Sequence, residues 1–160
     1  MRSRRKGFPM LLRNATVFDI PALLQLEQIC LGDDPWSEDS LRATIKDPMC
    51  LTKVVVNGGE ILGYISGRMI PHEAEIYRVA TLPNHRRLGV GSALLAAFLG
   101  SASSHGCDTF FLEVRASNMA AQGLYAAHGF EKIGTRRAYY RNPTEDAILF
   151  ALHTKEVVSC

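Results

Sequence analysis

Three groups of residues in this chain could do chemistry. The first is Glu113, a carboxylate inside the apolar run Phe110-Phe111-Leu112-Glu113-Val114. At a strand's period of two it shares a face with Phe111, while Phe110, Leu112 and Val114 share the other. A carboxylate partly withdrawn from water is a better proton acceptor, so Glu113 suits general-base work. The competing reading is a strand-end glutamate that reaches solvent or pairs with Arg115 or another cation. The second group is Asn118 with Tyr125. Seven helical residues turn through about 700°, which returns both side chains to one face two turns apart. Small residues between them, such as Ala121, leave room for a ligand. The bland alternative is a capping asparagine and a core tyrosine. The third is Arg86-Arg87-Leu88-Gly89-Val90-Gly91-Ser92. Its glycines let a backbone approach a ligand closely. Exposed N–H groups at a helix start favour a phosphate or pyrophosphate, and the two arginines add positive charge. A tight strand-to-helix turn would need the same glycines for its own geometry. No Lys-Ser or Lys-Thr follows the last glycine, so this is not a Walker loop, and the dinucleotide fingerprint is absent as well.

These groups need a scaffold, and the chain is long enough to supply one. Its 160 residues fit one domain that buries roughly 70% of its unfolded surface. Hydrophobic residues are 47% and charged residues 21%, a globular and not a disordered composition. Lys plus Arg is 18 and Asp plus Glu is 16, a net +2 that gives no support for direct nucleic-acid binding. Cys30, Cys50, Cys107 and Cys160 lie far apart with no Cys-x-x-Cys pair and no histidine at zinc spacing. Neither a disulfide framework nor a metal site is expected; free buried thiols in a reducing, cytoplasmic compartment are. No apolar run reaches the roughly 20 residues of a membrane helix. The basic start Met1-Arg2-Ser3-Arg4-Arg5-Lys6 leads into no sustained apolar segment, so a secretory signal is not expected. An organelle-targeting stub, or an extension ahead of a fold that begins at Met10, stays open.

The patterning predicts a short strand at 11–15 and a helix from Thr16, with Asp19 at capping-box spacing, to Gly32. Ser37 caps a second helix to about Lys46, which Asp47-Pro48 stops. Strands at 51–56 and 61–70 flank an Asn57-Gly58-Gly59 hairpin turn, and a third strand covers 74–81. A long apolar helix follows the glycine segment and ends near His105. A strand at 109–114, a helix at 118–128 and strands at 130–135 and 146–152 complete the chain. That order predicts an α+β, or mixed α/β, layer architecture around one sheet. The expected organisation is a basic extension over 1–10, one domain over 11–153 and a tail over 154–160.

Together the three groups resemble the GNAT superfamily of N-acetyltransferases, whose acetyl-CoA motif Arg/Gln-x-x-Gly-x-Gly/Ala is met by Arg86, Gly89 and Gly91. Glu113-Val114-Arg115-Ala116-Ser117-Asn118, Gly123-Leu124-Tyr125 and His128-Gly129-Phe130 look like its RimI type, the ribosomal-protein N-terminal-alanine acetyltransferases. Pro35-Trp36-Ser37, Arg136-Arg137-Ala138-Tyr139-Tyr140 and Glu145-Asp146-Ala147-Ile148 match that group too. The resemblance covers residues 11–152. It implies a mostly antiparallel mixed sheet flanked by about four helices. It also implies acetyl transfer from acetyl-CoA, without a metal, to the N-terminal amine of a protein, by direct attack in a ternary complex. The pyrophosphate would lie on the amides of Arg87, Leu88, Gly89, Val90, Gly91 and Ser92. The pantetheine arm would run along Val79, Ala80 and Thr81, and Asn118 would hold it. Glu113 would act as general base through water, and Tyr125 would return a proton to the departing thiolate. Tyr77 and Arg78 depart from the small or apolar residues usual there and bear on the acceptor side. Trp36 lines the peptide groove or anchors the core. Tyr139 and Tyr140 alternate faces in a regular strand, so at most one would line that groove. A small-molecule amine acetyltransferase on the same scaffold is the alternative, and a noncatalytic acyl-CoA-binding module is a further one.

Overall fold

Runs of β-branched and aromatic residues broken by Asn-Gly-Gly, Pro-His and Asn-Pro turns build a seven-stranded sheet in the computed structural model, which describes residues 9–154. The strands are β1 (Leu11–Asn14), β2 (Cys50–Asn57), β3 (Glu60–Ile70), β4 (Glu73–Thr81), β5 (Thr109–Arg115), β6 (Glu131–Tyr140) and β7 (Glu145–His153). They lie in the order β1-β2-β3-β4-β5-β7-β6. Every neighbouring pair is antiparallel except β4 and β5, which are parallel. The helices are α1 (Ile20–Cys30), α2 (Glu38–Lys46), α3 (Val90–Ser104) and α4 (Met119–Ala127). The expected mixed α/β architecture with a mostly antiparallel sheet is the one observed.

Element starts follow local chemistry. Ser37 accepts the Ser40 N–H at 3.1 Å and caps α2. At Thr16 the helix expected from that residue opens instead as a 3₁₀ turn over Val17–Asp19, and α1 begins at Ile20. Asp19 returns to the Thr16 N–H at 2.8 Å and also takes both Arg13 amino groups, at 2.7 and 2.9 Å. The last hairpin departs most from expectation. β6 runs to Tyr140 rather than ending near Thr135. A register shift between Arg136 and Tyr140, with Ala138 at φ +50°, absorbs extra residues and lets Tyr140 still pair with Glu145.

Two cores lie on opposite faces of the sheet. On one, Leu94, Leu95 and Phe98 of α3 and Tyr125 of α4 pack on Ile65, Ile76, Phe110, Leu112 and Phe150. On the other, Ile20, Leu23 and Leu26 of α1 and Leu41 of α2 pack on Val54, Tyr64 and Ala80. Phe110, Leu112 and Val114 point into the first core, so Phe111 and Glu113 face the side of α1 and α2. Those two helices rest on β2, β3 and β4, and among the described residues no helix packs on the β5 part of that face. Met10, at the edge of the expected extension, packs against the first core. The expectations for residues 1–8 and 155–160 lie outside the described residues. Among the described residues no helix is long and apolar enough to cross a membrane.

Candidate active site

The site begins where β4 and β5 part. Their parallel pairing runs from Glu73↔Thr109 to Ile76↔Leu112 and stops there, although both strands continue. A bulge causes the divergence. Ser66 of β3 pairs with Arg78 and Gly67 with Ile76, so Tyr77 is an extra residue that bends β4. Gly67 permits it, because a Cβ there would collide with the Glu75 carbonyl and the Phe98 ring. Past the bulge, β4 remains bonded to β3, and the Leu82 N–H to Leu62 carbonyl bond at 2.8 Å extends that ladder. Antiparallel alternation then turns the backbone groups of Ala80 toward β3 and those of Val79 and Thr81 toward the gap. The Thr81 carbonyl accepts the Cys30 thiol at 3.3 Å and Arg86 Nε at 3.4 Å. Among the described residues, the Val79 N–H and C=O and the Thr81 N–H are left along an open edge. Of the expected cofactor strand, Val79 and Thr81 present backbone to the gap and Ala80 does not.

At the end of that edge the chain makes a sharp turn into α3. Arg87 (φ +65°) and Gly89 (φ +84°) both take left-handed conformations. Gly89 is the N-cap of α3, and it offers no side-chain oxygen to the helix. The N–H groups of residues 87–92 have no backbone partner among the described residues; the first that does is Ala93, to the Gly89 carbonyl at 2.9 Å. Gly91 lies against Leu124 of α4, where a Cβ would stand 3.2 Å from a Leu124 methyl. Ser92 Oγ shares a hydrogen bond of 2.8 Å with His128 Nε2, which ties the start of α3 to the end of α4. Asn118 caps α4 by accepting the Ala121 N–H at 3.1 Å, which leaves its amide nitrogen available to a ligand.

On the far side of the gap, Glu113 stands on the open sheet face. Its cation is Arg136 of β6, with Nε 3.5 Å from Oε1. Arg115 goes elsewhere: it bonds the carbonyls of Arg141 and Pro143 and the Glu145 carboxylate, holding the β6–β7 turn. Tyr139 lies under Arg136, the cation of Glu113, and Tyr140 follows it on the same side, contrary to the alternation expected of a regular strand. The left-handed Ala138 and the register shift turn consecutive rings to one side, edge to face at 5.0 Å. The Tyr139 hydroxyl is raised first by the Glu113 carboxylate beside it and then by burial. Tyr140 is pushed up to about 12 by burial and then by Glu113. Glu75 of β4 joins this group. It pairs with Phe111 and faces the same side; burial raises its carboxyl, Glu113 raises it further and Arg136 opposes both. Tyr125 is buried at 7% exposure between Phe130 and Phe150, with ring centres 6.0 and 6.2 Å away. Its hydroxyl makes no hydrogen bond among the described residues, and burial raises its pKa, so it stays protonated. That Arg136 and Glu75 lie near Glu113 was not readable along the chain, because it depends on strand order.

A second polar group borders the same face. Glu27 of α1 is fully buried and accepts the Tyr64 hydroxyl, Arg78 Nε at 3.1 Å, an Arg78 amino group at 2.6 Å and the Trp36 N–H at 2.9 Å. Burial opposes the charge on Arg78, but the Glu27 carboxylate outweighs it and raises the guanidinium pKa. Trp36 packs against the second core and is half-buried, so it anchors and borders the face at once.

The profile of the acetyltransferase (GNAT) family matches residues 20–130. The chain is 36% identical over 138 residues to the [ribosomal protein bS18]-alanine N-acetyltransferase of Escherichia coli, covering 84% of this chain and 90% of that one. It is 33% identical over 144 residues to the N-alpha-acetyltransferase RimI of Mycobacterium tuberculosis, with 87% and 89% covered. The crystal structure of the ribosomal-protein-S18-alanine N-acetyltransferase from Escherichia coli superposes with a TM-score of 0.84 at 31% identity, over 92% of this chain and 96% of that one. Ard1 from Thermoplasma volcanium gives 0.83 at 25% identity, over 92% and 99%. With the parted strands and the turn of free amides, these matches make the chain a member of the acetyltransferase (GNAT) family.

Proposed function

We propose that this enzyme transfers acetyl from acetyl-CoA to the N-terminal amine, alanine foremost, of a ribosomal protein, with both substrates bound together. One observation carries the reading: the gap between β4 and β5 has a free backbone edge and a turn of free amides on one side, and a carboxylate on the other. The relatives named for alanine N-acetylation support the acceptor class.

The residues fit acetyl-CoA as co-substrate. The N–H groups of residues 87–92 lack backbone partners, which suits a pyrophosphate at a helix N-terminus. The Val79 and Thr81 groups suit the amides of an extended arm, and the Asn118 amide nitrogen can add a bond. Acetyl-CoA supplies an activated acyl group with a thiol leaving group. A backbone N–H of the Val79–Thr81 edge would polarise the acyl oxygen. Glu113 would take the proton of the acceptor through water; this matters because an α-amine with a pKa of about 8 is mostly protonated at neutral pH. Tyr125, kept protonated by burial, would give its proton to the departing sulfur.

The test is intact-mass detection of acetyl transfer to peptides beginning with Ala, Ser, Met or Gly, beside an N-terminally blocked lysine peptide and polyamine and aminoglycoside controls. One acetyl on the N terminus of the alanine peptide is expected. Transfer to the small amines alone would overturn the acceptor class and favour a small-molecule acetyltransferase. Acetyl-CoA binding without any transfer would favour a noncatalytic acyl-CoA-binding module.

A further inference from the structure

Trp36 is the only tryptophan of the chain, and one guanidinium holds it at the rim of the open sheet face. Arg78 bonds the buried Glu27 through two nitrogens, at 3.1 and 2.6 Å. It also donates to the Asp34 carbonyl at 2.5 Å, and its carbon lies 4.9 Å from the centre of the Trp36 ring. Glu27 in turn accepts the Trp36 N–H at 2.9 Å. The loop between α1 and α2 is therefore held by main chain and by ring, and each hold passes through the Glu27–Arg78 pair. Arg78 sits on β4 directly after the bulged Tyr77 and directly before Val79, the first residue of the open edge. The Trp36 ring packs on Tyr77 at 6.4 Å, and Tyr77 borders a cavity of about 80 Å³ with Arg68, Glu75 and Phe111.

We propose that Arg78 is a positioning residue for the acceptor: it locks the Trp36–Tyr77 wall of the acceptor groove to the strand whose next residues receive the acyl donor. The inference rests on the acceptor approaching over the face that carries Glu113. An ion pair needed for folding alone would have to satisfy Glu27 and nothing more. Arg78 does more, since a third donor and its flat face go to the loop, a use that needs the planar fork and that a lysine ammonium cannot reproduce. The link puts loop and strand in one rigid frame, so an acceptor seated against Trp36 is aimed at the gap.

Arg78→Lys and Arg78→Met are compared with the wild type for melting temperature, acetyl-CoA affinity, acceptor KM, kcat and Trp36 emission. Arg78→Lys retains a charge beside Glu27, so it carries the test if Arg78→Met fails to fold. Arg78→Lys is expected to bind acetyl-CoA as the wild type does, to shift the Trp36 emission, and to raise acceptor KM roughly tenfold or more with a smaller effect on kcat. An unchanged acceptor KM beside a shifted emission would overturn the role, because the loop would have moved without consequence. An unchanged emission, or an equal loss of acetyl-CoA affinity, would overturn it as well. The acceptor used is whichever amine the wild type acetylates fastest. A wild type that ignores peptide N termini therefore refutes the proposed acceptor class and still leaves this comparison decisive.

Discussion

Glu113 shares its face with a second carboxylate and two phenols, and Arg136 stands 3.5 Å away as its cation. That setting puts a carboxylate with a cation at hand on a sheet face beside the gap. Glu113→Gln keeps the shape and removes the acceptor. Turnover at pH 7 should fall by about 10²-fold or more, with acetyl-CoA affinity unchanged in a direct binding measurement. Part of the loss should return as pH rises toward the amine pKa near 8, since more of the acceptor is then already neutral. Turnover equal to the wild type at pH 7 would remove Glu113 as the base. Tyr125 makes the complementary case. Its ring is core, packed on Phe130 and Phe150, while its hydroxyl bonds to nothing among the described residues. Tyr125→Phe should therefore melt with the wild type yet turn over about 10²-fold more slowly. Full activity in that variant would end the proton-donor role. Both residues were visible in the sequence as a polar group in an apolar run and a tyrosine two turns from a cap. Their partners were not, because Arg136 and Tyr140 come from a strand that reaches Glu113 only across β7.

Elements that begin with a local cap were legible, and elements shaped by a register shift were not. Ser37 and Asn118 each mark a helix start within a residue of the observed one, and the Thr16–Asp19 pair marks the 3₁₀ turn that leads into α1, because a cap involves only its own turn. The bulge at Tyr77 and the shift near Ala138 depend on a partner strand, and neither leaves a pattern along its own strand. The first opens the gap and the second turns Tyr139 and Tyr140 to one side near Arg136, so the functional shape lay where local patterning is blind. The Asp19 turn gives a measurable consequence at this scale. Its carboxyl lies below the usual range, held there by Arg13 against the cost of burial and aided by the Thr16 N–H. A lowered folded pKa means stabilisation that is complete above the unfolded value of about 3.9 and lost as pH falls through the folded value. Asp19→Asn should cost about 1 kcal/mol at pH 7, discounted from a larger figure because the Arg13 side chain is 39% exposed and screened. Urea midpoints of the two proteins should converge below pH 4. A gap that persists at pH 2 would show that the effect is packing and not charge.

Across the whole molecule, the sheet consists of two antiparallel halves, β1–β4 and β5–β7–β6, joined by four residue pairs from Glu73 to Ile76. The α3 core spans the seam beneath and keeps the halves from separating, while above Ile76 the strands are free to diverge. The composition and strand count made one mixed domain readable in advance. The seam was not, since a parallel pair that stops halfway along its strands has no signature in either segment. This geometry makes a residue-by-residue claim about acetyl-CoA. The Ala80 backbone already pairs with Tyr64 of β3, whereas the Val79 and Thr81 N–H groups face the gap. Hydrogen exchange resolved to single amides should show Val79 and Thr81 gaining protection on saturation, by up to about a hundredfold at a hundred times the Kd, with Ala80 little changed. The amides of residues 87–92 should slow with them. Protection confined to residues 87–92 would mean that the turn binds the phosphates while the arm takes another path. Equal gains at Val79, Ala80 and Thr81 would mean that the ligand rigidifies the sheet as a whole and does not complete its open edge.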